Sequence, residues 1–170
     1  WLVLARTNPL LKPIPKILKQ KGLFFKTVDG NSIAKNLYED IEHWNKLRKG
    51  ESVPEVQEQR VLEKVKGKPN YGLEWYDAFT NVASAKIDYL RTMISNGEKI
   101  NKEPRITVST IHGAKGGEAT NVVLFLNQTI NTMKASDKSV YKKDEEYRVW
   151  YVGVTRTIQN LYLVKCNNKR

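Results

Sequence analysis

A chain of 170 residues is long enough for one well-buried domain carrying an insertion and too short for two full α/β domains. Hydrophobic residues at 40% and charged residues at 28% exclude a disordered or collagenous chain. No apolar run approaches the roughly 18 residues that span a bilayer, and Trp1 opens on a strand-like segment without a charged, cleavable leader. The lone Cys166 and two separated histidines exclude an internal disulfide and a zinc-ligand spacing, so a reducing, cytoplasmic setting without a membrane is expected.

The net charge of +11 is unevenly spread. Trp1 to Thr27 holds six basic and no acidic residues, Val28 to Pro104 holds 12 basic and 13 acidic, and the remainder holds 11 basic and five acidic. Two basic, strand-patterned ends around a neutral, helix-patterned middle point to an insertion in a domain that meets a polyanion. Simple solubility charge is the alternative reading of the same numbers.

Trp1 to Ala5 is a continuous apolar run, the pattern of a strand buried on both faces of a parallel sheet, and a buried strand at the first residue points to a longer parent chain. Leu10, Leu11, Ile14, Ile17 and Leu18 recur at helical spacing, with Pro13 and Pro15 near the helix start and Gly22 as a stop. Phe24 to Val28 is the next expected strand, which completes a βαβ unit. Asp29-Gly30 turns the chain into a helix that Ser32 is placed to cap and that Ile33, Leu37, Ile41, Trp44 and Leu47 stripe.

A short helix is expected around 54–66, a loop over 67–72, and one continuous helix over 73–95 whose aromatic stripe is read as core rather than as a base-stacking platform. Strands return at Ile106 to Thr110 and Asn121 to Leu126, separated by a glycine-rich turn. The stretch 127–143 reads as loop, Asp144 as the cap of a helix running through Thr155, and Leu161 to Lys165 as a closing strand.

Two segments carry chemistry. In ITVSTIHGAKGGEATNVVLFL, Ile106 to Leu126, a buried strand ends in a loop of small residues bearing His112, Lys115 and Glu118. Ligands of open α/β sheets bind at the carboxyl ends of strands. Gly113, Gly116 and Gly117 admit an anion to backbone N–H groups, while Thr110 and His112 are donors to phosphate oxygens. It is not a GxxxxGK[ST] phosphate loop, and on residue types alone a turn of structural purpose is the stronger reading. In EEYRVWYVGVTRTIQNLYLVK, Glu145 to Lys165, a helix ends in Arg156. An arginine there either complements the helix dipole or reaches a neighbouring domain's nucleotide as an arginine finger.

Together, TIHGAKGGE followed by EEYRVWYVGVTR resembles motifs V and VI of the UvrD/Rep/PcrA helicase family, and the opening LVLARTNPLLKPIPKILKQKGLFFKTVDG resembles motif IV. The resemblance covers Trp1 to Asp29 and Arg105 to Val164; the intervening residues are similar in position and helical character only. It implies an α/β fold, a RecA-like parallel sheet flanked by helices. Residues 1–28 and 105–170 would form the discontinuous second motor domain, with a helical insertion at 29–104.

The resemblance implies catalytic roles toward ATP for Arg156, as the finger, and Arg6. Gly117 and Glu118 would join them at the nucleotide, and Thr110 and His112 would face single-stranded DNA. It further implies that Arg6 and Arg156 meet at one triphosphate-facing edge. ATP and Mg2+ would be held chiefly by an N-terminal RecA-like domain of the same polypeptide, in a cytoplasmic, nucleoid-associated helicase, and the chain alone would hydrolyse no ATP.

Three departures stand out. Ala5 replaces the aromatic residue that stacks on adenine, AKGGEA replaces AKGLEF, and the 77-residue stretch from Val28 to Pro104 is short for the family's insertion. A non-catalytic nucleic-acid-binding or partner-docking module with a degenerate helicase fold is the rival; a DEAD-box-like helicase is disfavoured by TIHGAKGGE.

Overall fold

The computed structural model describes residues 1–114 and 116–166. Contact density divides the chain into two compact units: 1–18, 25–32 and 104–170 in one, and 19–24 with 33–103 in the other.

The first unit is built on a six-stranded sheet. Its strands are β1 (Leu2–Ala5), β2 (Phe25–Thr27), β3 (Gly30–Asn31), β4 (Ile106–Thr110), β5 (Ala119–Phe125) and β6 (Thr157–Val164), in the spatial order β3-β2-β4-β1-β5-β6. Every pairing is parallel except the short β2–β3 hairpin. Strand β1 lies between β4 and β5 and is buried along its whole length, which accounts for its unbroken apolar run. This is the α/β, RecA-like architecture, a mostly parallel sheet flanked by helices.

Helices cover the sheet on both sides. On one side α1 (Asn8–Leu11) packs against β1 and β4, followed by α2 (Pro13–Gln20). On the other, Leu2, Leu4, Val122 and Leu124 form a core with Ile111 and Ala114. Against that core pack Val149, Trp150 and Val152 of the C-terminal helix Val140–Val154. Gly153 is where this helix comes closest: a Cβ there would lie 3.3 Å from methyl groups of both Ile111 and Leu124. The absent side chain sets the helix-to-sheet distance.

The second unit is helical: α3 (Lys35–Arg48), α4 (Glu55–Leu62), α5 (Trp75–Ala78) and α6 (Ser84–Ser95). Trp44, fully buried, is its centre, edge-on to Phe79 at 5.8 Å and donating from its indole N–H to the Leu73 carbonyl at 3.1 Å. The aromatic stripe is therefore core. Residues 19–24 join this unit through the Tyr89 hydroxyl, which donates to the Leu23 carbonyl at 2.6 Å, and through Asn96, which donates to the Lys21 carbonyl at 2.8 Å.

Several element expectations need correction. The helix expected over 73–95 is broken between Ala78 and Ser84. There Thr80 Oγ1 accepts from Lys66 N, and Asn81 bonds the carbonyls of Glu63, Lys64 and Val65, so the backbone is drawn into loop contacts. Ser32 caps no helix; its hydroxyl accepts from Phe25 N across the hairpin, and α3 begins at Lys35.

The loop expected over 127–143 contains α7 (Ile130–Ser136), capped by Thr129, and the start of α8 (Val140–Val154), capped by Ser139 rather than Asp144. Strand β6 starts at Thr157, four residues before the expected Leu161. Among the described residues, no helix is long and apolar enough to cross a membrane.

Candidate functional site

The parallel strands give the sheet two distinct edges, and the predicted residues divide between them. At the carboxyl edge, Ala5 ends β1 beside Thr110 at the end of β4, and Ile111 N donates to the Ala5 carbonyl at 3.0 Å. Arg6 and His112 follow directly and line one cavity of about 690 Å³. Thr110 lines a neighbouring one of about 660 Å³ with Lys12 and Lys26.

Thr110 is partly committed, because its Oγ1 accepts from Gly113 N at 3.1 Å. Gly113 has a local reason to be glycine: a Cβ would stand 2.6 Å from Ser109 Oγ. Gly116 adopts φ +82°, the left-handed region that favours glycine. The turn is thus partly structural in purpose, as its residue types allowed. Lys115 lies outside the described residues.

Arg6 is held firmly. Its Nε donates to both carboxylate oxygens of Glu146 at 3.0 Å, and Gln128 Nε2 donates to Glu146 Oε1 at 2.8 Å. Glu146, on α8, is 8% exposed; among the described residues it and Asp40 of the helical unit are the buried carboxylates. Four cations, Arg6, Lys138, Lys142 and Arg148, line this cavity against two carboxylates, Glu145 and Glu146, and Lys142 pairs with Glu145 at 2.6 Å. That hydrogen bond holds Glu145 below the usual carboxylate range and raises the Lys142 ammonium. The balance remains positive.

At the amino edge, β5 and β6 begin side by side, and Ala119 N donates to the Arg156 carbonyl at 3.0 Å. This bond brings Glu118 and Gly117, just before β5, next to Arg156, just before β6. Gly117 and Glu118 are exposed and Arg156 is half-buried. Arg156 closes the C-terminus of α8: its Nε donates to the Val152 carbonyl at 3.0 Å and a terminal nitrogen donates to Thr155 Oγ1 at 3.3 Å. No carboxylate is paired with it among the described ion pairs.

The backbones of Arg6 and Arg156 lie at opposite ends of β5, while both side chains are held by α8, Arg6 through Glu146 and Arg156 through the Val152 carbonyl. Leu4 aligns with Leu124 of β5, so Arg6 lies level with the end of that strand, whereas Arg156 lies level with its start. At about 3.3 Å per residue the backbones are on the order of 20 Å apart along the strands, but the groups of α8 that hold the two side chains are six residues apart, about 9 Å along its axis. What the structure does assemble is Arg6 with His112 at one edge, and Arg156 with Gly117 and Glu118 at the other.

Sequence reasoning missed Glu146, Gln128 and the cations of α7–α8. One signal was available: Glu146, Val149 and Gly153 share a helix face at i, i+3 and i+7, so a carboxylate stands on an otherwise apolar stripe.

A family model described as the UvrD-like helicase C-terminal domain matches residues 33–168. The chain belongs to that family. The match spans the helical unit, where the sequence alone offered only similarity of position, and both segments read as motifs V and VI; Arg6 lies outside it. No curated protein matches the chain. Membership implies a partner N-terminal domain in a helicase.

Proposed function

We propose that this domain is the second motor half of an ATP-dependent DNA helicase or translocase, with its amino edge toward the nucleotide and its carboxyl edge toward single-stranded DNA. The observation that carries the reading is the Ala119–Arg156 backbone bond, which gathers Gly117, Glu118 and Arg156 where β5 and β6 begin. The donor set suits a nucleotide: a cation for phosphate, a carboxylate that accepts from ribose hydroxyls, and glycine backbone without an obstructing Cβ.

ATP, with Mg2+ held by the N-terminal domain, supplies the phosphoryl group for transfer to water. Arg156, paired with no carboxylate among the described residues, keeps its full charge to neutralise what develops on that group. At the far edge, Thr110 and His112 offer donors to a polyanion, and the positive cavity beside them attracts it. A cytoplasmic, nucleoid-associated setting belongs to the same reading.

The test is Arg156→Ala in the intact helicase. ATP binding should persist while turnover falls by about 10³-fold. Near-normal turnover would leave the domain a binding module. The chain alone, with no GxxxxGK[ST] loop in its sequence, is expected to show no steady ATPase rate.

A further inference from the structure

We infer that Tyr147 and Tyr151 of α8 form an aromatic ledge that takes the nucleoside part of the nucleotide, base over Tyr147 and ribose over Tyr151, when its phosphates meet Arg156. The inference rests on the reading that Arg156 faces the nucleotide, and it names the residues that hold the uncharged half of that ligand.

Three observations carry it. First, these two rings are unoccupied. Of the eight tyrosines of the chain, six have a partner. Tyr38 meets Glu42, Tyr71 meets Trp44, Tyr76 lies under Arg91, Tyr89 donates to the Leu23 carbonyl, Tyr141 lies under Lys142 and Tyr162 stacks on Trp1. Tyr147 and Tyr151 are 65% and 71% exposed, and among the described residues neither has a ring or hydrogen-bond partner. An aromatic side chain carries a large apolar face, and leaving two of them in water forgoes the burial that rings ordinarily find.

Second, helical register lines them up with the arginine. Tyr147, Tyr151 and Thr155 follow at i, i+4 and i+8, on the side of α8 turned away from the core that Val149 and Val152 pack against. Thr155 Oγ1 accepts from a terminal nitrogen of Arg156 at 3.3 Å, so the guanidinium is drawn to the end of the tyrosine line. At about 1.5 Å per residue, Tyr151 lies about 6 Å and Tyr147 about 12 Å from Thr155 along the axis. An extended nucleoside triphosphate laid from Arg156 along the helix therefore passes its ribose over the nearer ring and its base over the farther one.

Third, charge alone holds a nucleotide poorly here. The C-terminus of a helix carries partial negative charge, which opposes phosphate, and Arg156 spends part of its charge offsetting it. Further affinity has to come from an uncharged contact, and stacking of a base on an aromatic face supplies one. The ledge also supplies a ring that Ala5, fully buried at the end of β1, cannot.

The same rings could serve as plain apolar surface for the N-terminal domain, and the two accounts separate by ligand and by ring. The experiment is calorimetric titration of the intact helicase with a non-hydrolysable ATP analogue and, separately, with inorganic tripolyphosphate, which has the phosphates without the nucleoside. Tyr147→Leu keeps an apolar side chain but loses the ring; it should weaken the analogue about tenfold and leave tripolyphosphate within about twofold. Tyr147→Phe keeps the ring and should stay within about twofold of the parent for both ligands. Tyr151→Leu should weaken the analogue about threefold. Both positions are exposed, so these variants remove no core contact. Turnover of Arg156→Ala is measured alongside.

Unchanged affinity of Tyr147→Leu for the analogue would overturn the inference, as would an equal loss for the analogue and tripolyphosphate, or a loss in Tyr147→Phe as large as in Tyr147→Leu. If Arg156→Ala still loses turnover in that event, the nucleotide reading of the amino edge stands without the ledge. Near-normal turnover by Arg156→Ala would overturn that reading and the inference with it.

Discussion

At the carboxyl edge of the sheet an arginine is gripped by a buried carboxylate, and at the amino edge another is gripped by a backbone carbonyl and a hydroxyl. Both side chains are ordered by the protein, but only the first is neutralised. An arginine whose charge is cancelled still offers planar N–H donors. An arginine that keeps its charge suits a single site where negative charge grows during reaction. The two edges thus teach that position in the fold and the identity of the gripping partner, rather than residue type, set the charge each arginine presents. One helix, α8, serves both: Glu146 projects from its middle and Arg156 closes its end.

The comparison can be broken most decisively at the amino edge. Arg156→Lys in the intact helicase keeps a charge but loses the planar fork, and should recover only a small part of the roughly 10³-fold turnover lost with alanine; full recovery would show that charge alone matters there.

At the carboxyl edge, Arg6→Ala strands the buried Glu146 with Gln128 alone, and should lower unfolding free energy by about 2 kcal/mol in urea, with an unchanged m-value. Arg156→Ala should cost less, about 1 kcal/mol, since it removes a helix-end interaction and buries no orphan charge.

Gly153→Val, between the edges, should cost about 2 kcal/mol by forcing α8 from Ile111 and Leu124, and should impair both edges together. The smallest effect belongs to Glu145→Gln. The lowered carboxylate contributes stability above its ordinary pKa and loses it as pH falls through the depressed value, but the Lys142 pair is exposed, so no shift of the urea midpoint is expected.

The parallel core was legible because period and burial are local. The apolar run of β1, the strand pattern of β4 and β5 and the stripe of α3 each announce themselves within ten or so residues, and the order of TIHGAKGGE and EEYRVWYVGVTR named the family. The elements that escaped were those whose signal lies elsewhere in the chain. The helix expected over 73–95 looked continuous because its apolar spacing runs through Phe79 and Val82, yet Asn81 is claimed by carbonyls at 63–65. Helix α7 passed for loop because its apolar residues Ile130 and Met133 are exposed and leave no buried stripe. The early start of β6 depends on pairing of Thr157 with Ala119.

The same division holds for the site. Sequence by itself determined the kinds of groups available, the glycine-rich turn, the arginine that ends α8 and the basic character of both ends, because these are properties of residue type and spacing. Only the tertiary structure decided which of them stand together. Strand order and register set Arg6 beside His112, Arg156 beside Glu118, and a carboxylate 140 positions along the chain against Arg6. Partners so far apart in sequence are chosen by the packing of helix on sheet, and no local pattern encodes that choice.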